Sequence, residues 1–173
     1  MSDHKTTGRR LLFVHGAGGY DDDTPLARSL AAAVDARLSM PRLPDDDMSF
    51  DAWAASLRPL VASLGPADLL VAHSFGASIL LRLLGEAAVP VSRATLLAMP
   101  DWSDKGWDVA DYAYAAPPPT TAIALHHCRD DEVVPFTHLG LHAARLPAAH
   151  VHEHAVGGHQ FVGRTAVLAA ALS

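Results

Sequence analysis

The sequence predicts an α/β protein with a mainly parallel sheet of about six strands and helices on both faces. Three observations predict it. Short apolar runs such as Leu11-Leu12-Phe13-Val14 and Leu69-Leu70-Val71-Ala72 have the length and pattern of strands buried on both faces. Stretches with helical spacing separate these runs, a succession that calls for parallel strands and right-handed crossovers. At Ala72-His73-Ser74-Phe75-Gly76 an apolar run passes at once into the helix-forming Ile79-Leu80-Leu81-Arg82-Leu83-Leu84. Small residues two positions either side of Ser74 permit so sharp a turn, which pushes Ser74 out at the carboxyl edge of the sheet.

Taken in order, residues 1–8 are polar and expected to be loose. The strand at 11–14 runs into the glycine-rich loop His15-Gly16-Ala17-Gly18-Gly19, whose backbone N–H groups can approach a ligand. The lysine and hydroxyl of a phosphate-binding loop are missing, which argues against a nucleotide. Thr24-Pro25 offers an N-cap and first-turn pair for a helix to about residue 37. Residues 37–40 form a weak strand closed by Pro41 and Pro44. A helix over 51–64 carries Trp53, Leu57, Leu60, Val61 and Leu64 at helical spacing, with Ser49 or Asp51 as cap and Gly65-Pro66 as stop. The strand at 69–72, a helix to about 88 and a strand at 94–99 follow.

Residues 100–120 break this rhythm. Trp102, Trp107, Tyr112, Tyr114 and Pro117-Pro118-Pro119 fall in a polar segment that leaves the carboxyl end of a strand, the side where such sheets bind ligands. The aromatics either wall a pocket or pin a long loop to the body of the protein, and Trp102 and Trp107 are the candidate substrate-binding residues. The sheet resumes at 121–127. A helix at 137–145, a strand at 151–155, the loop Gly157-Gly158-His159 and a closing helix at 161–172 complete the chain. Without a repeat or linker, residues 1–173 read as one domain.

Composition excludes several classes. Half the residues are hydrophobic, which excludes disorder. A net charge of -6 with no Lys/Arg stripe argues against nucleic acid. The clusters Asp21-Asp22-Asp23 and Asp45-Asp46-Asp47 are expected to be solvated loop charges, with no metal bound. Cys128 is the only cysteine, so no intramolecular disulfide forms; it ends an apolar run and is read as core, and a reducing cytoplasm fits. The amino end lacks an apolar signal core and no apolar run is long enough to span a bilayer. A cytoplasmic protein with no membrane partner is expected, and nothing in the sequence specifies an oligomeric state.

Ser74 can act as a nucleophile only if a base takes its proton and an acid fixes the tautomer of that base. Without such partners it would be a helix cap. After Ser74 the chain supplies Arg129-Asp130-Asp131-Glu132-Val133-Val134-Pro135 beyond one buried strand and Val156-Gly157-Gly158-His159 beyond the next. Both lie at carboxyl ends of strands, on the same sheet edge as Ser74. On spacing alone either Asp130 or Asp131 could serve as the acid. His73 is expected to pack or hydrogen-bond behind the turn. His150, His152 and His154 would share one face of an edge strand, read as an exposed polar face.

These pieces resemble the α/β hydrolases, and specifically the small serine hydrolases of the YdeN and retinoblastoma-binding-protein-nine type. The likeness rests on Met40-Pro41 with Trp53 downstream, Val71-Ala-His-Ser-Phe-Gly76, Asp130-Asp-Glu-Val-Val-Pro-Phe136 and Gly157-Gly-His159, and spans nearly the whole chain. Ala72 stands where the family's nucleophile elbow usually has its first glycine. The resemblance implies an α/β-hydrolase fold with a minimal cap or none, Ser74 as nucleophile, His159 as base and Asp131 as acid. It also implies an oxyanion hole from the N–H groups of Phe75 and Ala17. The function expected is hydrolysis of a small carboxylic ester, or a related thioester or amide, without a cofactor. Acyl transfer by the same residues, or a binding module on the same fold, are the alternatives.

Overall fold

The computed structural model describes residues 8–173, so the loose amino end expected at 1–8 lies, apart from Gly8, outside the described residues. Six strands form one sheet: β1 (Arg10–Val14), β2 (Arg37–Ser39), β3 (Leu69–His73), β4 (Arg93–Leu97), β5 (Ala122–Cys128) and β6 (His150–His154). Their order is β2-β1-β3-β4-β5-β6 and every pairing is parallel. Among the described residues five helices accompany them: α1 (Tyr20–Ala33), α2 (Phe50–Ala62), α3 (Phe75–Glu86) and α4 (Thr137–Arg145) each lie between two strands, and α5 (Thr165–Leu172) follows the last.

Successive strand residues point to opposite faces, and each face meets its own helices. Leu12, Val14, Leu70 and Leu96 pack with Trp53 and Leu57 of α2, Leu80 and Leu84 of α3, and Leu139 of α4. Leu11, Phe13, Val71 and Leu97 pack with Leu26 and Leu30 of α1 and Leu168 of α5. The sheet is therefore covered on both sides, as the apolar runs predicted. Between β4 and β5 the only regular element is a 3₁₀ turn at Ala110–Tyr112, so no helical cap is built there.

The strand order fixes where a ligand can sit. From β1 the chain steps outward to β2, then returns past β1 to β3 and continues the other way. The direction reverses between β1 and β3, and open parallel sheets have their crevice at the carboxyl ends of the strands flanking such a reversal. Those two ends carry the His15–Gly19 loop and Ser74.

Several boundaries differ from the sequence reading, each for a local reason. Helix α1 starts at Tyr20, ahead of Thr24-Pro25, and Pro25 lies inside it. The three aspartates form its first turn, where negative charge is favourable, and Thr24 Oγ1 donates to the Tyr20 carbonyl at 2.6 Å. The helix ends at Ala33 because Asp35 adopts φ 50° and Ala36 N–H bonds the Ala31 carbonyl at 2.9 Å, a Schellman closure. Asp23 is 1% exposed, so the expectation of three solvated loop charges fails at this residue. Helix α5 starts at Thr165, because Phe161 (φ 53°) and Gly163 (φ 73°) hold residues 161–164 in turns. Cys128 is fully buried, and burial together with the nearby Asp130 and Asp131 pushes its thiol up to about 12.

The polar strand β6 is also less exposed than expected. His152 pairs opposite His126 of β5, and the two rings stack with centroids 4.3 Å apart. His154 is buried, its Nε2 lying 3.0 Å from His126 Nδ1, and its ring meets Phe161 edge-on. Parallel pairing thus sets one histidine of β5 among those of β6, on a face closed by the segment leading to α5. Burial, and then the neighbouring His152, His154 and Arg93, push His126 down to about 3. The native fold therefore holds this ring neutral, while the unfolded chain protonates it near 6.5. Between those values stability falls as pH falls, by about 2 kcal/mol from pH 6.5 to 5 for this side chain alone. Substituting His126→Leu, which fills the site and cannot titrate, is expected to flatten the decline of Tm between pH 7 and pH 5. An equally steep decline in the variant would contradict this origin of the acid sensitivity.

Candidate active site

At the end of β3 the backbone of Ser74 adopts φ 53°, ψ -125°, a conformation that costs roughly 1–3 kcal/mol for a residue with a side chain. Neighbouring contacts hold it there. Ser74 N–H donates to the Leu97 carbonyl of β4 at 2.8 Å, and the Ser74 carbonyl accepts from Ala77 N–H at 3.0 Å in the first turn of α3. Gly76 makes this turn possible, since a β-carbon there would lie 2.2 Å from the His15 carbonyl oxygen and 2.9 Å from Val14 Cγ1. Ala72, in place of a glycine, is fully buried with its methyl accommodated in the core.

The loop after β1 passes directly beside Ser74. A β-carbon on Gly16 would stand 3.1 Å from Ser74 Cβ, so the chain approaches at a distance only glycine allows without displacement. His15 anchors this loop from within: its Nε2 accepts from Leu43 N–H at 3.0 Å, which leaves Nδ1 to donate to the Gly16 carbonyl at 2.6 Å. Among the described residues, Ala17 N–H, Phe75 N–H and Ser74 Oγ have no hydrogen-bond partner. Phe75 N–H is one of the unpaired donors at the start of α3, where developing negative charge is favoured.

His159 approaches from the loop after β6, and among the described residues its ring makes no hydrogen bond to Ser74 Oγ. Its Nδ1 lies 3.0 Å and 3.1 Å from the two carboxylate oxygens of Asp131, whose side chain is fully buried. Asp130 turns the other way. It is exposed and accepts from Gly157 and Gly158 N–H at 3.2 and 2.9 Å. The structure thus brings Asp131, and not Asp130, onto the imidazole. Burial works against charge on Asp131. It is outweighed by hydrogen bonds from His127, His159 and the N–H groups of Val134 and Val133, which hold the carboxyl well below the usual range. An ionised Asp131 accepts a hydrogen bond from Nδ1–H, which leaves Nε2 of His159 with its lone pair. The histidine's backbone is fixed too: its N–H donates to Glu132 Oε2 at 3.0 Å and its carbonyl accepts from His73 Nε2 at 2.8 Å.

Ser74, Phe75, Ala17 and His159 line one cavity of about 370 Å³, towards the small end of ligand pockets. Trp102 and Trp107 line it as well. Trp102 packs edge-on against Phe75, Tyr112 and Trp107, and its Nε1 donates to Ser78 Oγ at 2.8 Å. Tyr112 OH donates to the Met48 carbonyl at 3.0 Å, and Asp101 pairs with Arg145 at 2.9 Å. The aromatics of residues 100–120 therefore do both things the sequence allowed: they wall a cavity and tie their own loop to the body. Tyr114 is turned away from the cavity and donates to the Pro117 carbonyl.

Tyr112, one of the aromatics of the 100–120 segment, lines the cavity too, whereas Met48, Val133, Gln160 and the buried Asp23 escaped the sequence reading as cavity residues. For Asp23 a signal was present. Counted from a helix beginning at Tyr20, it shares the inward stripe of Leu26, Ala27 and Leu30, three, four and seven residues on. His73 does hydrogen-bond behind the turn, to this same Asp23, with Nδ1 and Oδ2 2.8 Å apart.

Over residues 11–162 the sequence matches the serine hydrolase family. No curated protein sequence matches it. Among solved structures, the fold is similar to the ydeN gene product of B. subtilis, with a TM-score of 0.70 and 19% identity over 88% of each chain. It is similar also to alpha/beta hydrolase domain-containing protein 10 from mouse, with a TM-score of 0.75 and 13% identity over 95% of this chain and 88% of that one. The esterase domain of a Rhodothermus marinus protein gives 0.64 and 15% over 96% and 88%. At these identities the structural likeness speaks for the fold, and the sequence match speaks for the family. The chain belongs to the serine hydrolase family and has the α/β-hydrolase fold of YdeN-like proteins.

Proposed function

We propose that this protein hydrolyses small carboxylic esters through an acyl-enzyme on Ser74, with His159 as base and Asp131 as the acid that orients it. The observation that carries the reading is the pair of hydrogen bonds from His159 Nδ1 to the buried Asp131, beside a cavity that Ser74 also lines. In the first step Ser74 Oγ attacks the ester carbonyl while His159 Nε2 takes the hydroxyl proton. The carbonyl oxygen gains negative charge and is held by Phe75 and Ala17 N–H, both without other partners among the described residues. Collapse breaks the bond to the alcohol, which leaves with the proton from His159. Water then enters, gives its proton to His159 and releases the acid, and Ser74 recovers its proton. Each imidazolium formed on the way is steadied by Asp131.

Family membership and the esterase named among the structural relatives support hydrolysis in general. The preference for small acyl groups rests on the lack of a helical cap between β4 and β5 and on the modest cavity volume. Ser74→Ala is expected to lose both labelling by a small fluorophosphonate and hydrolysis of p-nitrophenyl butyrate while keeping its native melting transition. Labelling that persists in the folded variant would refute the assignment. Asp131→Asn is expected to lower kcat by roughly 10⁴-fold, the scale seen when a misoriented histidine leaves its serine unactivated. Asp130→Asn should cost far less, and the reverse ranking would move the acid to Asp130.

The aromatic wall sets the expected acyl length. A buried methylene contributes about 0.8 kcal/mol, roughly fourfold in kcat/KM, for as long as the cavity can receive it. A cavity of about 370 Å³ shared with the alcohol group receives only a few. The kcat/KM for p-nitrophenyl esters is expected to peak between acetate and butyrate, and Trp107→Ala to flatten that peak with less effect on fluorophosphonate labelling. A steady rise out to decanoate, measured below micelle-forming concentrations, would contradict the shallow wall.

A further inference from the structure

We propose that Asp23 and His73 form a charged positioning pair that holds the loop after β1 and the loop of His159 in register around Ser74. The inference rests on the reading of Ser74, His159 and Asp131 given above. Neither side chain touches the reacting atoms in that mechanism, and both are 1% exposed.

The argument starts from donors and acceptors. His73 Nδ1 lies 2.8 Å from Asp23 Oδ2, and its Nε2 lies 2.8 Å from the His159 carbonyl oxygen. A carbonyl only accepts, and so does an ionised carboxylate. A neutral imidazole carries one proton, so it would aim a bare lone pair at one of the two oxygens. Only the doubly protonated ring donates to both. Its charge is matched by Asp23, whose Oδ2 also accepts from Gly16 N–H at 2.8 Å and whose Oδ1 accepts from Gln160 Nε2 at 3.0 Å. Burial alone would raise the carboxyl of Asp23. Its hydrogen bond and attraction to His73, then the bonds from Gly16 and Gln160, bring it below its ordinary value instead.

The pair therefore joins the three segments that the reaction needs. Gly16 N–H is drawn back onto Asp23, which orients the peptide leading to Ala17 N–H. His73 follows Ala72 in β3 and directly precedes Ser74. Through the His159 carbonyl and the Gln160 amide, the pair grips the loop that carries the base. It also settles a charge problem. The His73 and His159 rings lie 4.6 Å apart, so an uncompensated cation on His73 would oppose the imidazolium that forms on His159. Asp23 cancels that charge.

The variant Asp23→Asn separates charge from shape. An asparagine oxygen can still accept from Gly16 and His73. Gln160 can reverse its amide to meet the new NH₂, because its Oε1 now has no partner among the described residues. Asp23→Asn is expected to lower kcat by roughly 10- to 100-fold, the scale of losing a group that orients a reacting side chain, with KM changed less than about threefold. Asp21→Asn, an exposed neighbour in the same first turn, should leave kcat within about twofold and so control for helix-end charge. The ring nitrogens of His73, read by ¹⁵N NMR at pH 7, should both be protonated in the wild-type protein, and one should be bare in Asp23→Asn. The NMR reading of the wild type needs neither activity nor a folded variant. A neutral His73 there would overturn the proposal, as would Asp23→Asn with wild-type kcat. If instead Ser74→Ala keeps its activity, the reading of the reaction fails, while the NMR reading still decides whether the pair is charged.

Discussion

The carbonyl oxygen of His15 lies 2.2 Å from where residue 76 would carry a β-carbon, and much of the site depends on that approach. It lets the end of β1 press against the first turn of α3. That contact sets Ser74 in its positive-φ conformation and brings Gly16 alongside it. Ala17, Ser74 and Phe75 thereby line one cavity, and among the described residues the N–H groups of Ala17 and Phe75 have no partner. The energetic cost of the strained turn falls on residues whose remaining backbone groups are well bonded into β4 and α3, so the surrounding sheet over-determines it. The reversal of strand order between β1 and β3 sets these two strand ends side by side, where the approach happens.

Around this turn the chemistry is arranged as buried carboxylate–imidazole pairs. Asp131 and His159 form one and Asp23 and His73 the other, with the backbone of His159 linked to both His73 and Glu132. A buried carboxylate without partners is costly, so each acid is surrounded by donors that keep it ionised. Asp131 takes two backbone N–H groups from its own turn and Asp23 takes one from Gly16. His126 of β5 follows the opposite logic. It is buried with His152 and His154 around it and no acid beside it, so the fold holds its ring neutral and pays for it in acid stability.

Much of this was legible in the sequence. Continuous apolar runs marked strands β1, β3, β4 and β5, and small residues around Ser74 marked the turn. The order of Ser74, an aspartate at 130 or 131, and His159 could be read because each closely follows a strand end, while Asp131 was singled out by the family resemblance alone. What stayed hidden depended on pairing or on exact helix starts. Asp23 was read as solvated because Thr24-Pro25 mimics a helix start; beginning the helix four residues earlier turns Asp23 inward. His126 could not be joined to His152 and His154 by local pattern, since only the register between β5 and β6 brings them together. Trp102 and Trp107 were identified as candidates without a geometry, because a long irregular loop is positioned by contacts such as Tyr112 with Met48 and Asp101 with Arg145 that periodicity does not encode.

The central claim is that the turn at Ser74 and the loop after β1 together build a site for an oxyanion beside an activated serine. A crystal structure of the protein after reaction with a small alkyl fluorophosphonate tests it most directly. The account requires phosphorus bonded to Ser74 Oγ, with the phosphonyl oxygen within hydrogen-bond distance of both Phe75 N–H and Ala17 N–H and His159 Nε2 facing the serine oxygen. A phosphonyl oxygen directed away from both N–H groups, or an adduct on any other residue, would contradict it.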